Sequence, residues 1–285
     1  MSTASGCRDD KGAEMTKKIT FQGERGAYSE EAAIRAFGER VETLPCRTLS
    51  DVFKNVETGK AEGIVPVENS IEGSVARTYD LLKDSKIQIS KEVILRISHC
   101  LIVNPGTKLE SINKVYSHPQ ALAQCEKFLE KLNCEAIPTY DTAGSLQLIK
   151  QEKNSAAIAS KRAAKMHEME ALKEEIQTSP ENYTRFFIIS DHDAEPTGSD
   201  KTSIVFSTKH LPGSLYQCLS VFANEELNLA KIESRPIIGQ PWRYNFYLDF
   251  EGHRSGERSR KALRELKERT IFLKVLGSYP KWEAK

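Results

Sequence analysis

The 285-residue sequence lacks the features that assign a chain to several common classes of protein. It contains no run of about 18 apolar residues, so we predict no membrane span. The 41 lysines and arginines and the 40 acidic residues leave a formal net charge of +1, which argues against a global field for nucleic acid or a membrane surface. The six cysteines are scattered without a CxxC pair, so neither a zinc site nor a redox pair is predicted.

The sequence also lacks the common cofactor and metal motifs. It has no GxGxxG fingerprint, no Walker A loop and no GxSxG elbow. It has no pair of histidines with metal-ligand spacing either. We therefore predict no metal and no cofactor. Since no secretory signal is recognisable and the cysteines show no disulfide pattern, the simplest expectation is a cytoplasmic protein with reduced thiols.

Composition and pattern divide the chain into three regions. Residues 1–17 are polar and lack periodicity, and Met15 offers a second plausible start, so we expect a disordered extension here. Residues 18–192 alternate strand-like and helix-like patterns, which predicts an α/β unit with a largely parallel sheet. After a linker rich in acidic residues, glycine and proline, residues 201–285 follow a β-α-β-β-α-β order that is typical of a ferredoxin-like domain.

The most informative stretch is ENYTRFFIIS, residues 181–190. It sets the polar side chains of Asn182, Thr184 and Arg185 directly before an apolar run that begins at Phe186 and indicates a buried strand. Ligand crevices of open α/β domains lie at the ends of such strands. The stretch therefore predicts a binding site at this edge of the sheet.

Two earlier segments also place polar groups beside predicted strands. GERGAYSE follows the first strand, and we expect Ser29, beside Tyr28, to cap the next helix. Such a helix start offers free N–H groups to an anion, although a tight turn explains the glycines equally well. In PVENSIEGSV, Asn69 and Ser70 follow another strand, where a ligand site and ordinary turn chemistry are both open.

Three further positions are weaker indications. His99 interrupts an apolar strand, and a histidine there is more often a satisfied sheet residue than a proton donor. A helix begins at His118 and Pro119, where Gln120 would point an amide into a crevice. Thr142 begins another helix, where its hydroxyl would bind a carboxylate or serve as a plain cap.

Taken together, these motifs resemble the prephenate dehydratase family over about residues 19–282. Thr184-Arg185-Phe186 with Asn182 ahead of it looks like the family signature, and the GAYS, PVENS and HPQ segments are similar to further family motifs in the expected order. In the C-terminal region, LPGSLY and ESRP resemble the ACT domain that senses phenylalanine in these enzymes, except that Ser214 stands where alanine is common. Taken alone, the LPGSLY segment would be an ordinary loop, and the ESRP segment would be a strand end with an arginine in a salt bridge.

The resemblance implies a two-lobed α/β catalytic unit like the type II periplasmic binding proteins, followed by a ferredoxin-like ACT domain. The extended segment 87–103 suits one crossing between the lobes, and the return before Asn182 suits the other. The resemblance further implies decarboxylative dehydration of prephenate to phenylpyruvate, feedback inhibition by L-phenylalanine, and a homodimer or homotetramer.

The resemblance also assigns roles to residues. Thr184 is the catalytic residue by position and would donate a hydrogen bond to the leaving hydroxyl. Arg185 would hold a carboxylate unless it forms a structural ion pair, and Phe186 would wall the ring unless it belongs to the core. The other substrate-binding candidates are Tyr28, Ser29, Asn69, Ser70, Thr142 and Asn182. The candidates for binding the effector are Gly213, Ser214, Leu215, Glu233, Ser234, Arg235 and Pro236.

Two other functions stay open. Arogenate carries an amine in place of the side-chain keto group of prephenate, so an arogenate dehydratase would differ in one or two pocket contacts. A non-catalytic small-molecule sensor would use the same cleft and ACT domain without turnover. An intact Thr184-Arg185-Phe186 favours an enzyme over a sensor.

Overall fold

A computed structural model of the protein describes residues 17–283. The predicted disordered extension, residues 1–17, lies outside the described residues except for Lys17. In chain order the strands are β1 (Lys18–Gln22), β2 (Glu42–Cys46), β3 (Glu62–Asn69), β4 (Gly73–Ser74), β5 (Gln88–Arg96), β6 (Cys100–Val103), β7 (Lys114–Ser117), β8 (Glu135–Pro138), β9 (Ser155–Ala159), β10 (Glu170–Lys173), β11 (Tyr183–Ser190), β12 (Asp200–Thr208), β13 (Leu229–Ile237), β14 (Gln240–Glu251) and β15 (Thr270–Pro280). The helices are α1 (Tyr28–Phe37), α2 (Leu49–Glu57), α3 (Ala76–Asp84), α4 (Pro119–Gln124), α5 (Glu126–Leu132), α6 (Ser145–Ile149), α7 (Lys161–Met166), α8 (Ser214–Asn224) and α9 (Glu257–Arg269).

Three sheets organise these elements. The first lobe has the strand order β2-β1-β3-β11-β5 with β4 paired to β3, and the second lobe has the order β10-β6-β9-β7-β8. The chain crosses from the first lobe to the second between β5 and β6, and it returns between β10 and β11. The two crossings are hydrogen-bonded to each other, since the Ile97 amide donates to the Asn182 carbonyl at 2.7 Å and the Ile176 amide to the His99 carbonyl at 3.0 Å. This is the two-lobed arrangement that the extended segment 87–103 predicted.

The expectation of a largely parallel sheet is wrong for the strands at the crossings. Strand β1 is parallel to β2 and β3, and β7 is parallel to β8 and β9. Strand β11 is antiparallel to both β3 and β5, and β6 is antiparallel to both β9 and β10. The reason is that β3 and β5 end at the cleft between the lobes, whereas β11 returns from the other lobe and therefore begins there.

Helix α1 begins two residues earlier than the expected cap at Ser29 implied. Ala27 is its N-cap and makes no side-chain cap, so Ser29 lies inside the first turn. The Glu30 carboxylate points back from the first turn, where it accepts from the Gly26 amide ahead of the helix at 2.6 Å and from the Thr43 hydroxyl at 2.6 Å. The Ser29 hydroxyl is thereby left for the cleft.

The third sheet, called here the C-terminal sheet, has the order β13-β14-β12-β15 and confirms the predicted β-α-β-β-α-β sequence of elements. One face packs under α8 and α9 through residues such as Phe206 and Leu248. The alternating residues Val205 and Tyr247 face the opposite way and join a core with Phe187 and other residues of the first lobe. Burial of both faces explains why the strands are apolar on both sides.

The C-terminal sheet lies close to the backbone of the first lobe at Gly277. A Cβ atom added to this residue would lie only 2.6 Å from the backbone nitrogen of Ile89 and would also meet the Ile89 carbonyl. Glycine is therefore required at this point of β15, because any side chain would collide with backbone rather than with a movable side chain.

We expect Gly277→Ala to destabilise the protein more than Gly38→Ala. At Gly38 (φ 84°, ψ 172°) an added Cβ meets nothing within 4 Å, so only the backbone cost of about 1–3 kcal/mol applies. Gly277→Ala adds a collision that requires the C-terminal sheet to move off the first lobe. Thermal unfolding of the two variants tests this, and equal melting temperatures would contradict the close packing described above.

Candidate active site

A cleft of about 340 Å³ lies between the two lobes. It is bounded by the end of β3, the start of β11, the first turns of α1 and α4, and the turn before α6. Six of the nine predicted catalytic and substrate-binding residues line it, namely Tyr28, Ser29, Asn69, Thr142, Thr184 and Phe186. The other three, Ser70, Asn182 and Arg185, do not.

The hydrogen bond between Asn69 and Thr184 is the central contact of the cleft. The two residues lie opposite each other on the antiparallel strands β3 and β11. Asn69 Oδ1 accepts from the amides of Ile71 at 3.0 Å and Glu72 at 3.1 Å, which fixes the orientation of its side chain. Its Nδ2 therefore faces Thr184 and donates to Oγ1 at 3.0 Å. Since the threonine oxygen accepts here, its own hydrogen is free to be donated into the cleft.

Asn182 supports this pair from behind. It is fully buried, its Oδ1 accepts from Asn69 Nδ2 at 2.8 Å, and its Nδ2 donates to Gln124 Oε1 at 2.8 Å. Gln124 in turn donates to Glu72 Oε1 at 2.9 Å. Asn182 thus holds the orientation of Asn69 and does not itself reach the cleft.

Gln124 is not among the site residues predicted from the sequence. Gln124 lines a deeper cavity of about 90 Å³ that shares Asn69 and Thr184 with the main cleft. A signal was present, because Gln120 and Gln124 are four residues apart, a spacing that lies on one face of a helix. The break between α4 and α5 at Cys125 does not disturb that spacing.

His99 and Tyr28 complete the buried network. His99 Nε2 lies 2.8 Å from Gln124 Oε1, so this nitrogen carries the hydrogen. Its Nδ1 lies 2.9 Å from the hydroxyl of Tyr28, whose single hydrogen is shared between this nitrogen and the Ser98 carbonyl at 2.8 Å. Burial lowers the pKa of His99 and raises the pKa of Tyr28 well above its usual value. The histidine is therefore a neutral, satisfied group, located at a crossing rather than within a strand.

Ser70 holds the start of β11. Its Oγ donates to the Glu181 carbonyl at 2.9 Å and accepts from the Tyr183 amide at 2.9 Å. Both contacts are made to the chain just before Thr184. The residue therefore fixes the entry of the strand, and its hydroxyl is already engaged.

Arg185 points away from the cleft. Successive residues of a strand face opposite sides of a sheet, so Thr184 in the cleft places Arg185 on the far face of β11. There its guanidinium contacts Glu92 at 2.8 Å, Asp249 at 2.6 Å and the Tyr279 hydroxyl at 2.9 Å. A contact with a substrate carboxylate is incompatible with this geometry, and the alternative, a structural ion pair, describes it.

The cleft offers backbone N–H groups to a ligand, beside the carboxylate of Asp141. No lysine or arginine is among its lining residues in the part of the chain that the structure describes. The N-terminus of α1 opens into the cleft at Tyr28 and Ser29, and no side chain caps it. The first N–H groups of a helix are unpaired and carry a partial positive charge. Burial raises the pKa of Asp141, whose Oδ1 accepts from the Gly144 amide at 2.8 Å and shapes the turn behind Thr142.

Residues 17–283 contain neither a recognisable metal site nor a candidate membrane span. Within them no three side chains of histidine, cysteine, aspartate or glutamate are grouped as a metal site would require. None of the helices in the same range has the length and apolarity needed to cross a membrane.

The sequence model of the prephenate dehydratase family matches residues 19–194. The chain belongs to the prephenate dehydratase family. A bifunctional chorismate mutase/prephenate dehydratase of Aquifex aeolicus is 44% identical over 93% of this chain and 74% of the relative. Arogenate dehydratase 2 of Petunia hybrida is 42% identical over 92% of this chain and 72% of the relative.

Solved structures agree over nearly the whole chain. The prephenate dehydratase of Arthrobacter aurescens, solved in complex with L-phenylalanine, has a TM-score of 0.85 at 30% identity and covers 93% of this chain and 90% of its own. A structure described as GqqA, a novel type of quorum quenching acylase, has a TM-score of 0.84 at 32% identity and covers 93% of this chain and 98% of its own. The shared fold therefore includes the C-terminal sheet, which is the ACT domain of this family member.

The ACT segments that resemble an effector site lie at one end of the C-terminal sheet. Ser207 at the end of β12 and Arg235 near the end of β13 both pair with Asn245 of the intervening strand β14. Gly213, with φ 80°, begins α8 ahead of Ser214 and Leu215. Within one chain, the segment after β12 and the motif on β13 thus lie at the same end of the sheet, with strand β14 between them.

Two of the effector candidates contact the first lobe. Glu233 accepts a hydrogen bond from Ser74 of β4, and Arg235 lies 3.0 Å from Asp80 of α3. Ser234 alternates with them and is exposed on the other face of β13. The strand that carries the effector motif therefore touches the elements that follow Asn69 directly.

We expect Thr184→Val to lower kcat about 10²-fold or more with KM for prephenate nearly unchanged. Valine has the shape of threonine and suits a strand, so the variant removes the hydroxyl and little else. Thr184→Ser keeps the hydroxyl and serves as the matched control. Steady-state kinetics on both variants test the assignment, and wild-type kcat in the valine variant would remove the proposed role of the hydroxyl.

Proposed function

We propose that the protein is a prephenate dehydratase that converts prephenate to phenylpyruvate, carbon dioxide and water. The observation that carries this is the Thr184 hydroxyl, whose oxygen accepts from Asn69 and whose hydrogen is free for a group in the cleft. The loss of a ring hydroxyl requires a hydrogen-bond donor for the departing oxygen, and this member of the family has that donor in place.

The reaction needs little covalent machinery. The bond between the ring and its carboxylate breaks, and its electron pair moves through the ring as the carbon–oxygen bond of the hydroxyl breaks. The departing hydroxide takes a proton and leaves as water, and aromatisation drives the process. Thr184 donates a hydrogen bond to the oxygen on which charge develops. A threonine hydroxyl is far too weak an acid to be the ultimate source of the proton.

The anionic groups of prephenate are met by dipoles rather than by cations. We assign them to the N–H groups at the start of α1, to the hydroxyls of Ser29 and Thr142, and to the amide of Gln120. A lysine or arginine on the departing carboxylate would stabilise the ground state and oppose decarboxylation. The apolar surfaces of Phe186, Pro66 and Val75 line the remaining wall and exclude water from the ring.

Acyl transfer, the activity in the description of one structural neighbour, finds no support in the cleft. It requires a nucleophile in hydrogen-bond contact with a base. Among the described residues, the aliphatic cleft hydroxyls of Ser29, Thr142 and Thr184 make no hydrogen bond to a histidine or a carboxylate. The Tyr28 hydroxyl does contact His99, but burial raises its pKa well above the usual value and so keeps it in the neutral, weakly nucleophilic form. The dehydratase assignment is therefore preferred.

The first experiment is a direct assay of the full chain with prephenate and, separately, with arogenate. We expect the wild-type protein to form phenylpyruvate, measured by its absorbance, from prephenate much faster than the Thr184→Val variant does. Turnover of arogenate alone would assign the other substrate of the family, and turnover of neither would leave only the sensor function.

We further propose that L-phenylalanine binds the ACT domain, over residues 201–285, and inhibits the catalytic unit, residues 18–192. The N-terminus of α8 at Gly213, Ser214 and Leu215 offers N–H groups to a carboxylate. Since these groups and the motif from Glu233 to Pro236 are separated by β14 within one chain, we place the effector between two copies. The contacts of β13 with β4 and α3 give the bound effector a direct effect on the lobe that carries Asn69.

A homodimer or homotetramer follows from the same proposal. Strand β13 is an edge of the C-terminal sheet, and the exposed apolar side chains of Ile232, Leu211 and Tyr216 lie on this domain. Unpaired edges and exposed apolar side chains favour association with a second copy. We place the enzyme in the cytoplasm because the five cysteines described are all free thiols.

We expect L-phenylalanine at millimolar concentration to give a heat of binding with the full chain and to inhibit it, with L-alanine as the control ligand. A coupling of about 1–3 kcal/mol between effector and substrate is typical of such regulation. Deleting residues 201–285 is a poor test, because it would expose Phe187 and leave Arg185 without Asp249. Absence of binding in folded, oligomeric protein would leave the ACT domain with a role in assembly only.

A further inference from the structure

A buried cluster of charges lies directly behind Thr184, between the first lobe and the ACT domain. Arg185 contributes all three of its guanidinium nitrogens, to Glu92 at 2.8 Å, to Asp249 at 2.6 Å and to the Tyr279 hydroxyl at 2.9 Å. Lys201 of the ACT domain reaches the other oxygen of Glu92 at 2.8 Å. The first lobe and the ACT domain thus share two cations and two carboxylates at this interface, and a third carboxylate, Glu68, lies 3.9 Å from Arg185 Nη1.

The cluster is largely buried, and each of its charges has a partner. The side chains of Glu92 and Asp249 are 0% and 2% exposed, and those of Arg185 and Lys201 are 12% and 14% exposed. The second oxygen of Asp249 accepts from Ser203 Oγ at 2.6 Å. Burial opposes the charge of Arg185, but the Tyr279 hydroxyl and the two carboxylates outweigh it and raise the pKa of this residue. Loss of one member leaves an unpaired buried charge, which is strongly destabilising.

The same two strands carry the cleft contact on their opposite face. Thr184 pairs with Asn69, and the next pair along the strands is Arg185 with Glu68. Glu68 also faces the ACT domain, where its carboxylate lies 2.9 Å from Lys231 Nζ. Each residue of the cleft pair is therefore the sequence neighbour of a residue tied to the ACT domain.

The strands are irregular at this point. The register of β11 against β3 shifts between Arg185 and Phe186, so that β3 carries an extra residue there. Bulges of this kind re-aim the neighbouring side chains and leave the local ladder less constrained. The distance between Asn69 and Thr184 therefore depends on the contacts of Arg185 and Glu68 with the ACT domain as well as on the backbone hydrogen bonds between β3 and β11.

We propose that Arg185 is a positioning residue for Thr184, and that its contacts with Asp249 and Tyr279 are the connection through which the ACT domain sets the geometry of the Asn69–Thr184 pair. This rests on the proposed dehydratase function. It departs from the sequence-based expectation for Arg185, because a residue that held a substrate carboxylate would act on KM, whereas a positioning residue acts on kcat.

Tyr279→Phe is the sharper of two test variants. It removes one hydroxyl from the cluster and keeps the ring, which packs against Phe187 with centroids 5.3 Å apart. Tyr279 lies in the ACT domain and lines neither cavity of the cleft. Arg185→Lys is the second variant, because lysine keeps the charge but cannot make three contacts in one plane. Glu251→Gln on β14 is the control, since Glu251 forms an exposed ion pair with Lys281 outside the cluster.

We expect Arg185→Lys to lower kcat about 10-fold and Tyr279→Phe about 3-fold, with KM for prephenate within about twofold of wild type. Both should also raise the concentration of L-phenylalanine needed for half-inhibition, relative to Glu251→Gln. Each measurement is made below the melting temperature of the variant, so that loss of folded protein does not contribute to kcat.

The outcomes separate this inference from the proposed function. An inactive wild-type enzyme would refute the function and not the geometry of the cluster. With an active wild type, unchanged kcat and unchanged inhibition in folded Tyr279→Phe would overturn the inference, as would a raised KM with normal kcat in Arg185→Lys. Should Arg185→Lys fail to fold, Tyr279→Phe decides alone.

Discussion

The structure depends on the antiparallel pairing of β11 with β3. This pairing arises because the chain returns from the second lobe at the point where β3 ends, so the two strands meet at the cleft. It places Thr184 opposite Asn69 on one face and Arg185 opposite Glu68 on the other. Since side chains alternate along a strand, one pair of strands serves both the cleft and the interface with the ACT domain.

Buried amide groups fix the direction in which the Thr184 hydroxyl donates its hydrogen. Threonine has a hydroxyl that donates or accepts with equal ease, and in isolation its direction is undetermined. Here the amides of Ile71 and Glu72 orient Asn69, and the chain of Asn182 and Gln124 holds it from the other side. A hydrogen-bonded network of this kind is rigid, and the hydroxyl hydrogen of Thr184, which has no acceptor among the described residues, is available to a ligand.

Much of the fold follows from local sequence. The alternation of strand and helix patterns, the break near residues 97–99 and the β-α-β-β-α-β order of the C-terminal region correspond to observed elements. The direction of β11 does not follow from local pattern, because it depends on which lobe the preceding strand belongs to. Gln124 was missed for a related reason: its helical spacing was visible, but its contact with Asn182 joins residues 58 positions apart.

What the sequence by itself determined is the family, the order of elements and the motif that contains Thr184, because short motifs and periodic patterns depend on neighbouring residues. What only the tertiary structure decided is the direction in which each polar side chain of those motifs points. Asn182, Ser70 and Arg185 share a motif with the cleft residues, yet each contacts protein groups instead. The physical reason is that a motif specifies adjacency along the chain, whereas the alternation of a strand and the packing of a second sheet assign each neighbour to a different side.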